Sequence, residues 1–257
     1  MFNRRMNPNP PDEVFDFPSI QALLEAMVQC RRCPRLVAWR ETVSEVKVKR
    51  HEHELYWGRP VPSFGDPSAR LLIVGLAPAA QGGNRTGRMF TGDRSGDWLY
   101  RALYKAGFAN QPESRNLSDG LFLKDCYITA AAHCAPPENK PTRQEIANCR
   151  PYLSNELQLL KNLRVVIALG KLAFDTILKE PQLAWGSGKK PQFGHGLVYE
   201  LPSGLTLIGS YHPSQQNTFT GKLTEPMFDV VFSQARRALD CEKAGARKSS
   251  AWEKGRL

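Results

Sequence analysis

Four cysteines, one aspartate and one histidine carry the most specific chemistry this sequence offers. Cys30 and Cys33 form a C-x2-C pair, and Cys134 and Cys149 form a C-x14-C pair much further along the chain. Thiolates ligate zinc and iron–sulfur clusters, and a fold that gathers these four could hold either. The twin C-x2-C knuckles of a zinc ribbon are absent, so spacing leaves zinc, a cluster and unliganded thiols open. Cys126 and Cys241 read as ordinary residues. In the glycine-rich stretch 75–93, GLAPAAQGGNRTGRMFTGD, Asp93 is the one carboxylate and Phe90 the one aromatic. Glycine lets the backbone approach a ligand closely. One anion and one flat apolar face there suit a planar heterocycle beside developing positive charge, against the plainer reading of a flexible connection. His212 stands directly before Pro213, which stops a strand and fixes the backbone behind the imidazole. The polar run behind it, Gln215, Gln216 and Asn217 with Lys222, has the chemistry to insert among bases or touch phosphates. Around the first cysteine pair Arg31, Arg32, Arg35, Arg40, Lys47, Lys49 and Arg50 meet only Glu41 and Glu45. Such a run is usually a solvated face; beside a metal-stapled loop it is a candidate phosphate track.

These residues need elements to position them. Short apolar runs at 71–74, 126–130, 165–169 and 205–208 read as buried strands. Helical patterns alternate with them. Ile20, Leu23, Leu24, Met27 and Val28 share one stripe. Ser95 is placed to cap a helix carrying Trp98, Leu99, Ala102, Leu103 and Ala106, with Gly107 ending it. Thr142 and Glu145 form a capping box ahead of Leu153, and helices are expected at 172–178 and 224–239. Alternation of this kind predicts an α/β domain with a parallel sheet covered on both faces. Ligands of such sheets lie beyond the carboxyl ends of the strands, here 75–93, 131–141, 170–172 and 210–224. An isolated histidine is more often structural, but at such a strand end the balance turns toward function. Neither a dinucleotide fingerprint nor a phosphate-binding P-loop fits, since Gly170-Lys171 runs into Leu172.

The 257 residues hold 35 basic against 25 acidic side chains, a net charge of +10, and 41% hydrophobic residues. That composition describes a soluble globular chain with an affinity for polyanions. No apolar run is long enough to span a bilayer and no secretory leader is visible, so the expected location is cytoplasmic. Disulfides are not expected there, and the sequons at Asn84 and Asn116 carry no meaning. A single domain is expected over 19–240, with flexible tails at 1–18 and 241–257.

Taken together, these segments resemble the uracil-DNA glycosylase superfamily, in particular the family 5 (type b) enzymes of its iron–sulfur branch. The resemblance spans about 19–239. It rests on the cysteine quartet, on 75–93, on Tyr127-Ile-Thr-Ala followed by His133-Cys-Ala-Pro-Pro-Glu-Asn139, and on His212-Pro-Ser-Gln-Gln-Asn-Thr. It implies a three-layer α/β/α sandwich with a four-stranded, mainly parallel central sheet. It also implies a structural [4Fe-4S] cluster held by Cys30, Cys33, Cys134 and Cys149. The implied activity is base excision from DNA: the damaged nucleotide leaves the stack and its N-glycosidic bond is hydrolysed. Phe90 would stack on the base, with backbone amides of Ala80 and Gln81 at its oxygen. His212 would stabilise the departing base by hydrogen bond or charge, and Asp93 the sugar cation or the attacking water. Asn139 would add a third polar contact. The 215–218 segment would fill the vacated stack, and Arg31, Arg32, Arg35 and Lys222 would meet DNA. Where sister family 4 enzymes carry an early acid and a uracil-reading asparagine, this chain has Ala79-Ala80 and Ala130. That departure implies broader substrates: uracil, hypoxanthine and other deaminated bases. The implied protein is a monomer acting at the bacterial nucleoid. The rival readings are a non-catalytic lesion binder or redox sensor on the same scaffold, and an electron carrier. The last leaves His212 and Asp93 unexplained.

Overall fold

A computed structural model describes residues 15–183, 185 and 189–253, with side chains described as far as Asp240. The tails expected at 1–18 and 241–257 therefore fall largely outside the described side chains.

The four apolar runs become four parallel strands: β2 (Leu71–Gly75), β3 (Cys126–Ala130), β4 (Val165–Leu169) and β6 (Thr206–Ser210). Every residue of these strands is buried, as a parallel sheet covered on both faces requires. Register aligns Gly75 with Ala130 and Leu169 with Ser210, so the carboxyl ends lie level along one rim. Two short antiparallel strands, β1 (Phe64–Gly65) and β5 (Val198–Glu200), extend the edges and give the order β1-β3-β2-β4-β6-β5. Neither edge strand has an apolar run to betray it. β1 is a dipeptide, and Val198 and Glu200 are exposed.

Alternate residues of each strand feed opposite cores. Leu71, Ile73, Ile128 and Ile167 face helices α4 (Arg94–Lys105) and α8 (Glu225–Glu253), meeting Leu99, Leu103, Phe228 and Phe232. Leu72, Val74, Val166 and Ala168 face α5 (Arg143–Leu159) and α6 (Lys171–Ile177), meeting Leu153, Leu157 and Phe174. The sandwich thus has three layers. On the second side α1 (Ile20–Val28) packs Leu23 and Met27 against Tyr152 of α5. Two short helices, α3 (Gly83–Thr86) and α7 (Gln215–Phe219), sit in the loops beyond the rim. Helix α2 (Pro34–Glu45) opens on Pro34 immediately after the C-x2-C pair, where proline's missing N–H is tolerated.

Thr142 and Glu145 make both halves of the capping box. Ser95 does not cap α4. Asp93 does, its Oδ1 accepting the Gly96 N–H at 3.1 Å, so the helix begins at Arg94. A carboxylate lies wholly within the second core. Glu156 is 0% exposed and accepts hydrogen bonds from Thr129 Oγ1 at 2.6 Å and Tyr127 Oη at 3.3 Å. Burial pushes its carboxyl up to about 7. No helix among the described residues is long and apolar enough to cross a membrane.

Candidate active site

The rim beyond β2, β4 and β6 gathers the chemistry. β2 ends at Gly75, and the Phe90 ring lies against it: a Cβ there would stand 2.8 Å from Phe90 Cζ. Phe90 itself adopts a left-handed φ of 52°, which turns its ring back over the strand end. The ring centroid of His212, just beyond β6, is 5.8 Å from that of Phe90, with the planes 31° apart. Gly170, at the end of β4, closes the same corner, since a Cβ there would meet His212 Cβ at 3.6 Å. Three strand ends thus converge on one aromatic pair.

Asp93 follows Phe90 by one turn of loop. Its extended backbone and its bond to Gly96 place the carboxylate at the positive end of α4. Burial raises its pKa, opposed by the Gly96 and Ser95 amides and by Arg85. A carboxylate held between these pulls is a workable proton acceptor. The His212 imidazole has no hydrogen-bond partner among the described residues, and burial lowers its pKa to about 4. At neutral pH it is therefore uncharged and able to donate a hydrogen bond. Its backbone is fixed twice. Asn217 Nδ2 donates to His212 O at 2.8 Å, and the preceding Tyr211 N–H donates to His195 Nδ1 at 3.1 Å.

The amides of Ala80 and Gln81 have no hydrogen-bond partner among the described residues, which leaves them free for a ligand. Around them, Tyr56 Oη donates to Gln81 Oε1 at 2.5 Å and Arg85 Nε donates to Gln81 O at 2.8 Å. Arg85 also reaches Gly92 O at 3.0 Å and pairs with Glu54. Arg94 joins the loop to α7: Nε donates to Thr218 Oγ1 at 3.1 Å, and the guanidinium lies 4.2 Å from the Phe219 ring centroid. Sequence reasoning missed Tyr56, Arg85, Arg94 and His195. Arg85 lies within 75–93 but bonds mostly to backbone carbonyls of its own loop, while Tyr56, Arg94 and His195 find partners distant in the chain.

The other expected contacts are placed differently. Asn139 is exposed at a left-handed φ of 57°, and no hydrogen bond joins it to Asp93 or His212. Gln215 and Gln216 are exposed on α7, while Asn217 is turned inward by its bond to His212. Lys222 is exposed with its Nζ 4.9 Å from the Tyr211 ring centroid. The three arginines beside the cysteines are engaged within the fold. Arg31 pairs with Glu41, Arg35 pairs with Glu145, and Arg32 donates to Asn148 O while lying over the Phe15 ring. Arg32 and Arg35 tie the start of α2 to α5 while Arg31 folds back onto α2, and that pairing tempers the charge of the expected phosphate track.

Cys30, Cys33, Cys134 and Cys149 line one cavity, with Arg40 and Tyr152 on its wall. Burial is the largest influence on Cys33, Cys134 and Cys149 and raises each thiol pKa, Cys134 to about 11. Hydrogen bonds act the other way. Arg40 Nη1 donates to Cys134 Sγ at 2.9 Å, His133 N–H to Cys149 Sγ at 3.3 Å and Asn148 Nδ2 to Cys33 Sγ at 3.4 Å. Donors aimed at sulfur favour thiolate, the form that binds metal. No three described His, Cys, Asp or Glu side chains stand as a single ion requires. Four cysteines lining one cavity, three of them accepting hydrogen bonds, are a donor set suited to a thiolate-bound metal group.

Comparison with known proteins identifies the family. The model of the uracil DNA glycosylase superfamily matches residues 62–236. The chain is 52% identical over 222 residues to a type-5 uracil-DNA glycosylase of Mycobacterium bovis, covering 85% of this chain and 82% of that one. It is 49% identical over 218 residues to the type-5 enzyme of Thermus thermophilus, covering 84% and 97%. A type-4 uracil-DNA glycosylase of Archaeoglobus fulgidus is 29% identical over 158 residues, covering 60% and 70%.

Proposed function

The chain belongs to the uracil DNA glycosylase superfamily, and from that premise we propose how its residues excise a base from DNA. It is a DNA repair hydrolase of the type-5 kind that removes uracil by cleaving the N-glycosidic bond. The single observation that carries the mechanism is the packing of Phe90 on His212 at the rim where Asp93 caps α4.

The target nucleotide leaves the stack and its base enters the cleft. Phe90 supplies the face on which the base lies, and the free Ala80 and Gln81 amides meet a carbonyl oxygen of the base. As the bond from C1′ breaks, its electron pair leaves with the base and the sugar gains oxocarbenium character. Neutral His212 donates a hydrogen bond to the developing base anion, an oxyanion-type stabilisation that costs no prior protonation. Asp93 faces the positive sugar and accepts a proton from the water that adds to C1′. The departing base takes its proton from solvent. Asn139, exposed in the unliganded fold, reaches the base or the water only if DNA draws its turn inward. Lys222, Gln215, Gln216 and Asn217 contact the strand beside the vacated position, and Arg31, Arg32 and Arg35 add grip on phosphates.

Cys30, Cys33, Cys134 and Cys149 would hold a [4Fe-4S] cluster, which supplies structural order between α2 and α5 and takes no part in the hydrolysis. Hypoxanthine and other deaminated bases are also substrates on this reading. Ala130, at the end of β3, has no hydrogen-bonding group with which to demand uracil's edge. The working unit is a monomeric domain over 19–240 acting on cytoplasmic DNA. An oligonucleotide carrying one uracil tests the activity: incubation followed by alkali should cleave the strand at that position. An intact strand overturns the proposal, and a hypoxanthine oligonucleotide in parallel decides the breadth.

A further inference from the structure

An arginine cannot shed its charge in a protein, so burying one demands an anion nearby. Arg40 on α2 is 2% exposed. The only described carboxylate paired with it belongs to Glu41, 3.9 Å away, and Arg31 already grips that group with both guanidinium nitrogens. Arg40 turns instead to the cysteine cavity. Nη1 donates to Cys134 Sγ at 2.9 Å and Nη2 to Cys30 O at 3.2 Å, while the buried Nε has no partner. A full positive charge therefore stands on the cavity wall, and the one described carboxylate beside it, Glu41, is shared with Arg31.

The main chain of the same residue faces the other way. Asn84, 0% exposed, donates from Nδ2 to Arg40 O at 3.2 Å. Asn84 belongs to α3, within the loop that carries Phe90 and Asp93, and its own N–H is held by Ala79 O at 3.1 Å. One residue thus touches the thiols with its side chain and the catalytic loop with its backbone.

We propose that Arg40 is the counter-charge of an anionic four-thiolate centre, and that its backbone bond to Asn84 makes the order of the catalytic loop depend on that centre being filled. The inference rests on the cluster reading given above. Four thiolates around a [4Fe-4S] core carry net negative charge, which a buried guanidinium balances without help from solvent. Without that centre Arg40 has only the Glu41 carboxylate it shares with Arg31, and the helix that bears it is then free to shift. The loop gripped by Asn84 shifts with it.

Iron and sulfide content, the visible spectrum and its rate of bleaching by chelator test this on the full chain, with far-UV circular dichroism reporting the fold. Arg40→Lys keeps the charge and should retain wild-type iron. Arg40→Gln should bleach at least tenfold faster, and its reduction potential should fall because no nearby cation favours the added electron. Iron content, bleaching and potential all equal to wild type in Arg40→Gln overturn the inference and leave the cluster reading standing. Should Arg40→Gln fail to fold, Arg40→Lys decides alone: iron-bearing folded protein supports the role, and loss of iron or of fold despite the retained charge overturns it. Wild-type protein without iron overturns both readings together. Hydrogen exchange tests the coupling. Removing iron should raise exchange across 79–93 while strand β4 stays protected, and equal change in both segments sinks it.

Discussion

Gly82 and Asp93 compete for the same space: a Cβ on Gly82 would overlap the Asp93 carboxylate. The carboxylate can cap α4 and face the cleft only because residue 82 has no side chain. Gly82→Ala is therefore expected to fold, to displace Asp93 and to slow uracil release about a hundredfold, the usual cost of moving a catalytic group by roughly 1 Å. Single-turnover release from a uracil oligonucleotide measures it, and a rate within twofold of wild type would show that the loop yields without moving Asp93.

Asp93 serves two ends that a pair of variants separates. Asparagine caps helices as well as aspartate does, so Asp93→Asn should keep the melting temperature. It should nonetheless lose about a hundredfold or more in release, because the charge facing the sugar is gone. Asp93→Ala should lose activity and also about 1 kcal/mol of stability with the cap. Full activity in Asp93→Asn would remove the carboxylate from the chemistry.

His212 is an uncharged donor with its pKa lowered to about 4 by burial. Release should accordingly be free of any His212 titration between pH 6 and 9, and a rate that rises on acidification near 6.5 would mean imidazolium is the active form. The same shift acts on stability. The folded state takes the proton less readily than the unfolded one, so this contribution is whole above about 6.5 and is lost as pH falls toward 4. His212→Asn should lose less stability over that interval than wild type.

Glu156 titrates in the opposite sense. Its folded pKa is raised to about 7, so the neutral carboxyl suits the core and stability is lost as pH rises through that value. Glu156→Gln should match wild type near pH 5 and exceed it at pH 8.5, by up to about 3 kcal/mol for a shift of this size. Denaturant midpoints at the two pH values measure the difference, and a variant weaker at both would show that the core requires the carboxyl itself.

How much of this was legible in the sequence depends on how local the signal is. Four strands announced themselves because each is an unbroken apolar run, whereas Val198–Glu200 is a three-residue edge strand whose Val198 and Glu200 are exposed. Asp93, Phe90 and His212 stood out by following strands, and the structure brings Phe90 and His212 into ring contact. The choice of cap went astray because Asp93 and Ser95 are both good caps, and only the loop's path over Gly82 decides between them. Arg40 reads as one more cation in a basic stretch, since nothing in the local sequence says that its side chain points inward. The ties from Tyr56 to Gln81 and from His195 to Tyr211 join distant segments, which no local pattern encodes.

Arg94 is the immediate neighbour of Asp93, and it grips Thr218 and Phe219 of α7. A single peptide bond therefore separates the group that faces the sugar from the strut that feels the helix beside the gap in the duplex. Any change in how that helix seats arrives at the carboxylate without an intermediary. On the proposed mechanism, a nucleotide presented while α7 is badly seated would meet an acceptor out of line and return to the stack intact.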